Sequence, residues 1–373
     1  MSMEHINAMA LTMLKPAMSP IQLIRLYRQA GSATAIVEDD GEGESSIYHG
    51  CPRLREVMLS LPQAMEKAEE EWQFCEKHHI QVLIPSDEAY PQRIKDCDDA
   101  PLVLYYRGNA DLNAGHVVNM IGTRKSTAYG SSVIRSFVEE LHQACPDTLV
   151  ISGLAYGIDI CAHRAALKYG MKTVGVLAHG LNMIYPSMHR ETAKDMVSHG
   201  GLLTEYFSAV RPEKRNFVQR NRIVAGISDA TILVESARRG GGLITCDISR
   251  GYGREVFAFP GSVTSLSSEG CNNYLRDGKA HLITSAQDFM KQMGWGSADV
   301  LVEARKKGIE RDLFPNLSPD EERIVSVLQE CGEMQVCDIV VRTAMPLSQV
   351  NATLFLLEMN GVVRSMAGGR YCI

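Results

Sequence analysis

Two stretches decide the fold: VVNMIGTRKSTAYG, residues 117–130, and TLVISGLAYGIDICAHRAA, residues 148–166. Each opens on a short apolar run, Val117 to Ile121 and Leu149 to Ile151. Runs of that length fit buried parallel strands, because helices cover both faces of such a sheet. Each run ends on small residues, Gly122-Thr123 and Ser152-Gly153, where a ligand can approach the backbone. A helix that follows such a turn supplies unpaired N–H groups and a partial positive charge, a good setting for phosphate. One loop alone could be a plain strand-to-helix turn. Two, at the carboxyl ends of neighbouring strands, mark the place where open α/β sheets hold ligands.

Outward from this pair the alternation continues. Lys172 to Ala178 (KTVGVLA), Gly201 to Tyr206 (GLLTEY), ATILVES and EVFAFPG read as further strands with helices between them. The fold class is therefore α/β, an extended Rossmann-like doubly wound parallel sheet. Gly240-Gly241-Gly242 precedes Thr245 in the first turn of a helix placed near Leu243, a third point where amides and a hydroxyl can meet an anion. Arg220, Asn221 and Arg222 open the preceding helix, and arginine can hold a phosphate bidentately or stack on a base. The competing role for one of these arginines is to tie a loop to Glu205 or Glu235.

Toward the N-terminus, residues 1–79 read as a small helical domain. Segments 4–14 and 20–30 have helical spacing, with Ser19 as N-cap and Pro20 at the first helical position, and Leu54 to His79 forms two more helices. IQVLIP and PLVLYYRG add an edge to the sheet, so the central domain spans 80–295. A charged linker, 296–317, leads to a terminal module, 318–373, with helices at 321–330, 336–343 and 347–359 and a hairpin turning on Gly368-Gly369. That is the pattern of a winged helix.

The chain's net charge of −6 is unevenly spread. Residues 1–117 hold 10 basic and 18 acidic side chains, residues 118–290 hold 19 and 15, and residues 318–373 hold 4 and 7. A polyanion would be drawn to the glycine-loop region rather than to either end. No apolar run approaches the ~20 residues of a membrane span and no signal peptide opens the chain, so a cytoplasmic protein without membrane contact is expected. The ten cysteines form no Cys-x-x-Cys pair, which argues against a zinc or redox motif and for buried thiols.

Catalytic patterns are sparse. Asp159 and His163 share a helix face and could act as base and orienter or as two metal ligands, or simply cap and brace the helix. Ser152 lacks the Gly-x-Ser-x-Gly elbow, and Gly122 is followed by Thr-Arg-Lys rather than by the dinucleotide fingerprint. Neither a catalytic residue, a metal ligand nor a cofactor is assigned.

In combination, IGTRKSTAYG, SGLAYGIDICAHRAAL, GLNMIYP, LLTEY, RNRIVAGIS, GGGLIT and REVFAFPGS resemble the DNA-processing protein A family, DprA, also called Smf. The resemblance covers about 80–290 continuously and both ends more weakly. It implies a protein that binds single-stranded DNA without cleaving it, dimerises through the Rossmann domain, and protects incoming strands in natural transformation. It also implies loading of the recombinase RecA onto strands covered by single-strand-binding protein. Residue by residue, Gly122, Thr123 and Arg124 match the family's phosphate loop, Ser152 and Gly153 its second loop, and Asn221 and Arg222 its Arg-Asn-Arg segment. Phe217 falls where an aromatic can stack on a base, or pack in the core, and Lys214 one turn earlier is a phosphate contact. With Gly241, Gly242 and Thr245 these form the expected DNA-binding set.

Three positions depart from the family pattern. Ser187 follows Tyr-Pro where a basic residue is common, Lys15 to Pro20 lacks the glycine of a DNA-binding hairpin, and Gly240 to Gly242 replace a hydroxyl-bearing segment. A second function class is an enzyme, a nucleotide phosphoribohydrolase of the lysine-decarboxylase-like group. Its Pro-Gly-Gly-x-Gly-Thr-x-x-Glu motif is met here only by Arg238 to Gly242, without the proline and with Asp247 roughly in place of the glutamate. A third is a nucleotide-sensing regulator whose winged helix binds duplex DNA, against which the acidity of the terminal module counts.

Overall fold

A computed structural model describes residues 3–39, 52–295, 317–331, 334–359, 362–366 and 370–372. The charged linker and the glycine hairpin tip lie outside the described residues. The chain divides into two compact units, Met1–Trp295 and Gly296–Ile373.

The first unit is built on a nine-stranded sheet: β1 (Gln81–Leu83), β2 (Leu104–Gly108), β3 (Val117–Gly122), β4 (Leu149–Ser152), β5 (Thr173–Val176), β6 (Gly200–Thr204), β7 (Ala230–Glu235), β8 (Glu255–Ala258) and β9 (His281–Leu282). Their spatial order is β1-β2-β6-β5-β4-β3-β7-β8-β9. From β6 to β9 every pairing is parallel, whereas β1 and β2 add an antiparallel edge. The chain starts in the middle at β3, winds outward through β4, β5 and β6, then returns to β3's other side as β7. This reversal is the switch point at which doubly wound sheets open a crevice.

The middle strand shows why both faces are closed. Val118 and Met120 join the cluster that contains Phe137 and Phe289, while Val117 and Ile121 join the one that contains Ile223 and Leu233. Between them Asn119 is fully buried, its amide donating to Thr231 Oγ1 at 2.7 Å. The first cluster is covered by α7 (Ala128–Ala144), α8 (Ile158–Lys168) and α13 (Ala286–Met293), and the second by α10 (Lys214–Gly226), α11 (Gly241–Gly251) and α12 (Glu269–Arg276). Helix α9 (Arg190–Ser198) packs beside β6. Arg220, Asn221 and Arg222 thus lie inside α10, which begins earlier, at Lys214.

The N-terminal helices α1 (Met3–Thr12), α2 (Pro20–Ala30), α3 (Ala33–Val37), α4 (Pro52–Met58) and α5 (Leu61–Lys77) precede the short α6 (Gln92–Lys95). Ser19 caps α2 in a reciprocal box with Gln22, Pro20 stands in the first turn, and Gly31 closes the helix at φ 84°. Ile6, Met9 and Ile24 share one hydrophobic cluster with Val82, Ile84, Val103 and Tyr105 of the sheet edge. The helical segment 1–79 is accordingly packed into the same compact unit as the sheet. Glu71 of α5, itself buried, accepts bonds from Ser208 N at 2.8 Å and Ser208 Oγ at 2.6 Å.

The second unit contains α14 (Pro319–Cys331), α15 (Val336–Thr343) and α16 (Leu347–Met359) over an antiparallel sheet ordered β10 (Met334–Gln335), β12 (Arg370–Cys372), β11 (Arg364–Met366). Ile324, Leu328, Ile339, Val350, Leu354 and Leu357 form its core. This is winged-helix architecture. No described helix is long and apolar enough to cross a membrane.

Candidate nucleic-acid interface

The carboxyl ends of β3, β4 and β7 converge at the switch point, and main-chain bonds fasten their loops together. Thr123 N donates to Glu235 O at 2.8 Å, and Ile158 N donates to Thr123 O at 3.1 Å, so the first glycine loop is held by β7 on one side and α8 on the other. A Cβ on Gly122 would stand 2.6 Å from both Glu235 O and Ile158 Cγ1, and one on Gly153 would stand 2.3 Å from Arg220 Nη1. Backbone enforces glycine at 122, whereas a side chain at 153 would displace the Arg220 and Asp159 side-chain ends. Glu235 is a brace: its carboxylate accepts from Thr127 N at 2.9 Å and Thr127 Oγ1 at 2.6 Å, while Thr127 caps α7. By contrast, α11 starts at Gly240 with no side-chain cap, leaving its first amides to face whatever enters.

These loops enclose a crevice of about 640 Å³. Of the predicted residues, Gly122, Thr123, Arg124, Gly153, Lys214, Phe217, Asn221, Gly241, Gly242 and Thr245 line it together. The exposed Arg124 guanidinium sits 5.3 Å from the centre of the Phe217 ring, and Tyr185 meets the same ring edge-on at 5.9 Å. Phe217 is half-buried and faces the crevice instead of the core.

Two predicted residues do not reach it. Ser152 is fully buried and donates across to Met120 O of β3 at 2.6 Å. Arg222 is 5% exposed and bonds to the Glu205 carboxylate and to Asp99 O. It stands two residues beyond Arg220, about 200° round the helix, hence on the opposite face. Here the loop-tying role is the one the structure displays. In its place the crevice gains Arg220, Arg239 and Tyr185, none in the predicted set. Arg220 carried a signal, since it begins the Arg-Asn-Arg segment.

Arg220 is 4% exposed; Nη1 donates to Val176 O, and Nε has no partner among the described residues. Across from it lies Asp159, whose carboxyl is raised by burial and drawn back down by Arg220. The crevice therefore holds four cationic side chains, Arg124, Lys214, Arg220 and Arg239, against one carboxylate. Its field favours a polyanion.

Asp159 and His163 do not work as a pair. His163 is fully buried, with Nε2 2.5 Å from Gly153 O and Nδ1 2.7 Å from Thr173 Oγ1, so it braces the second glycine loop. Burial pushes the imidazole down to about 4. Below pH 6.5 the unfolded chain then binds a proton that the folded one refuses, and stability falls as pH drops from 6.5 to 4. The expected loss from this group is about 3 kcal/mol at pH 4. Denaturant melts across that range should show it, with a flatter profile for His163→Gln.

Burial acts on thiols too, raising Cys75 and Cys271 to about 12 and Cys97 to about 11. Among the described residues no three His, Cys, Asp or Glu side chains gather as metal ligands.

Comparison with known proteins agrees with this architecture. Residues 81–294 match the family model described as DNA recombination-mediator protein A, and residues 312–369 match the DprA winged helix domain. The chain is 33% identical over 317 residues to the putative DNA processing protein DprA of Mycobacterium tuberculosis, covering 82% of this chain and 80% of that one. It is 32% identical over 325 residues to the protein Smf of Escherichia coli, covering 85% and 83%. The X-ray structure of DNA processing protein A from Streptococcus pneumoniae aligns with TM-score 0.61 at 30% identity, over 74% of this chain and 98% of that one. A Helicobacter pylori DNA processing protein A structure, described for its single-stranded DNA binding mode, aligns with TM-score 0.52 at 28% identity, over 57% and 95%. With the central domain matched by the family model and relatives of this kind spanning four fifths of its length, the chain belongs to the DNA recombination-mediator protein A family.

Proposed function

We propose that this protein binds single-stranded DNA in the switch-point crevice and acts as a recombination mediator during natural transformation. Loop amides and Arg124 grip phosphates, while Phe217 and Tyr185 receive a base. One observation carries the reading: at a single place the fold joins amide-lined loops, an uncapped helix start, four cations and an aromatic pair. The Helicobacter pylori relative supports it, being described as binding single-stranded DNA.

The strand is held and protected, not cut. Asp159 is the one carboxylate in the lining, and it faces Arg220, so no free acid is offered to a ribose or a phosphodiester. The working unit is a cytoplasmic homodimer joined through the Rossmann domain, which hands strands covered by single-strand-binding protein to RecA.

Titrating a labelled oligothymidylate at several salt concentrations tests the binding. Affinity is expected to fall with a log–log slope of about −0.7 per phosphate contact, and duplex of equal length should compete poorly. A salt-independent affinity would refute the site. Incubation with AMP should release no adenine; release would favour the phosphoribohydrolase reading.

A further inference from the structure

Beyond the crevice lies a second basic hollow. Pro212 of the crevice wall also borders an open depression lined by Arg211, Asn182 and Met183. Asn182 and Met183 in turn border a third hollow of about 270 Å³, where Arg107 of β2 and Arg190 and Lys194 of α9 surround an apolar floor. Consecutive hollows share lining residues, so the three are neighbours in a row.

The charges along this row suit a polyanion. Neither outer hollow has an acidic residue in its lining. Among the described residues Arg107, Arg190 and Arg211 have no carboxylate partner; Lys194 bonds to Glu191 at 2.9 Å. Positions 190 and 194, four apart, share the face of α9 that meets the hollow, whereas Glu191 and Asp195 lie one flank over. Glu71, close behind Ser208, is already engaged by that residue's amide and hydroxyl. Other hollows adjoin the crevice as well: one, past Ala237 and Arg239, carries Glu269 4.0 Å from Arg238, and another is a shallow basic patch of Lys214 and Arg215. The Arg211 side leads on from the crevice to the further cations Arg107, Arg190 and Lys194, with no carboxylate in the lining, a setting that attracts a polyanion.

We propose that the path from Arg211 to the hollow of Arg107, Arg190 and Lys194 is an auxiliary site that takes the continuation of the bound single strand. Phosphates lie against the cations, and bases rest on the floor of Leu181, Ile184 and Val197. This rests on the crevice being the primary site, and the test separates the two. Oligothymidylates of about six and about twenty nucleotides, lengths set by the ~4–16 nucleotides of single-strand sites, are bound to the intact chain and to Arg107→Gln/Arg190→Gln/Lys194→Gln. The longer strand is expected to lose at least tenfold in affinity and roughly 1.4–2.1 in salt slope, two to three contacts at ~0.7 each. The shorter should be unchanged. A milder variant, Arg190→Glu alone, leaves the half-buried Arg107 in place and should reproduce the length-selective loss. Equal losses for both lengths, or none for the longer, would overturn the auxiliary site. Failure of the intact chain to bind either would overturn the primary site with it.

Discussion

Arg124→Ala is expected to weaken binding of a short oligothymidylate about 10- to 100-fold. A charge-assisted hydrogen bond contributes about 1.5–3 kcal/mol, and each 1.4 kcal/mol is a factor of ten. Arg124 is exposed, forms no ion pair among the described residues, and lies over the Phe217 ring, so its removal costs the fold little. The loss should therefore appear in affinity, with the melting temperature nearly constant and the salt slope shallower by about 0.7. Arg124→Lys restores charge without the planar fork and should recover only part of the affinity. Fluorescence anisotropy alongside thermal melts checks all of this. Undiminished binding by Arg124→Ala would remove the first glycine loop from the interface.

Arg222→Ala should behave in the opposite way. Its guanidinium is paired with Glu205, both side chains being 10% exposed or less, and removing one partner leaves a buried charge uncompensated. Loss of a partner from such a pair costs about 3–5 kcal/mol. Arg222 also holds Asp99 O, and Asp99 accepts the Tyr252 hydroxyl at 2.5 Å, so α10, β6 and the segment before β2 loosen together. Chemical denaturation should show a large drop in midpoint, while protein that remains folded keeps its DNA salt slope. Arg222→Met combined with Glu205→Leu removes both charges and should recover most of the stability. A shallower salt slope at unchanged stability would return Arg222 to the DNA-binding set.

These two arginines mark the boundary of what residue order conveys. Strands were legible because runs such as Val117 to Ile121 and Ala230 to Val234 are short, mostly apolar and alternate with helical patterns, as strands of a sheet covered on both faces do. The crevice was legible because glycine at 122 lies against the backbone of Glu235, and glycine at 153 leaves room for Arg220 and Asp159. What residue order hid was rotation about helix axes and strand pleats. Arg220 and Arg222 read as equivalent in RNRIVAG, yet one enters the crevice and its near neighbour is locked behind it. Ser152 belongs to the loop by position and to the sheet by orientation. Small pieces escaped notice as well: α3 is five residues long and β9 only two, below the length at which periodicity can be seen. Tyr185 became part of the interface only through a contact with a helix more than thirty residues away.

The bonds from Glu71 to Ser208 give the amino-terminal helices a mechanical part in this design. Ser208 stands just upstream of Arg211 and Pro212, so the anchor point of that rim is a side chain on α5. A chain trimmed back to the sheet would lose this strut, and Ile84, Val103 and Tyr105 would be uncovered at the same time. The amino-terminal helices thus serve as the foundation on which one bank of the crevice is set.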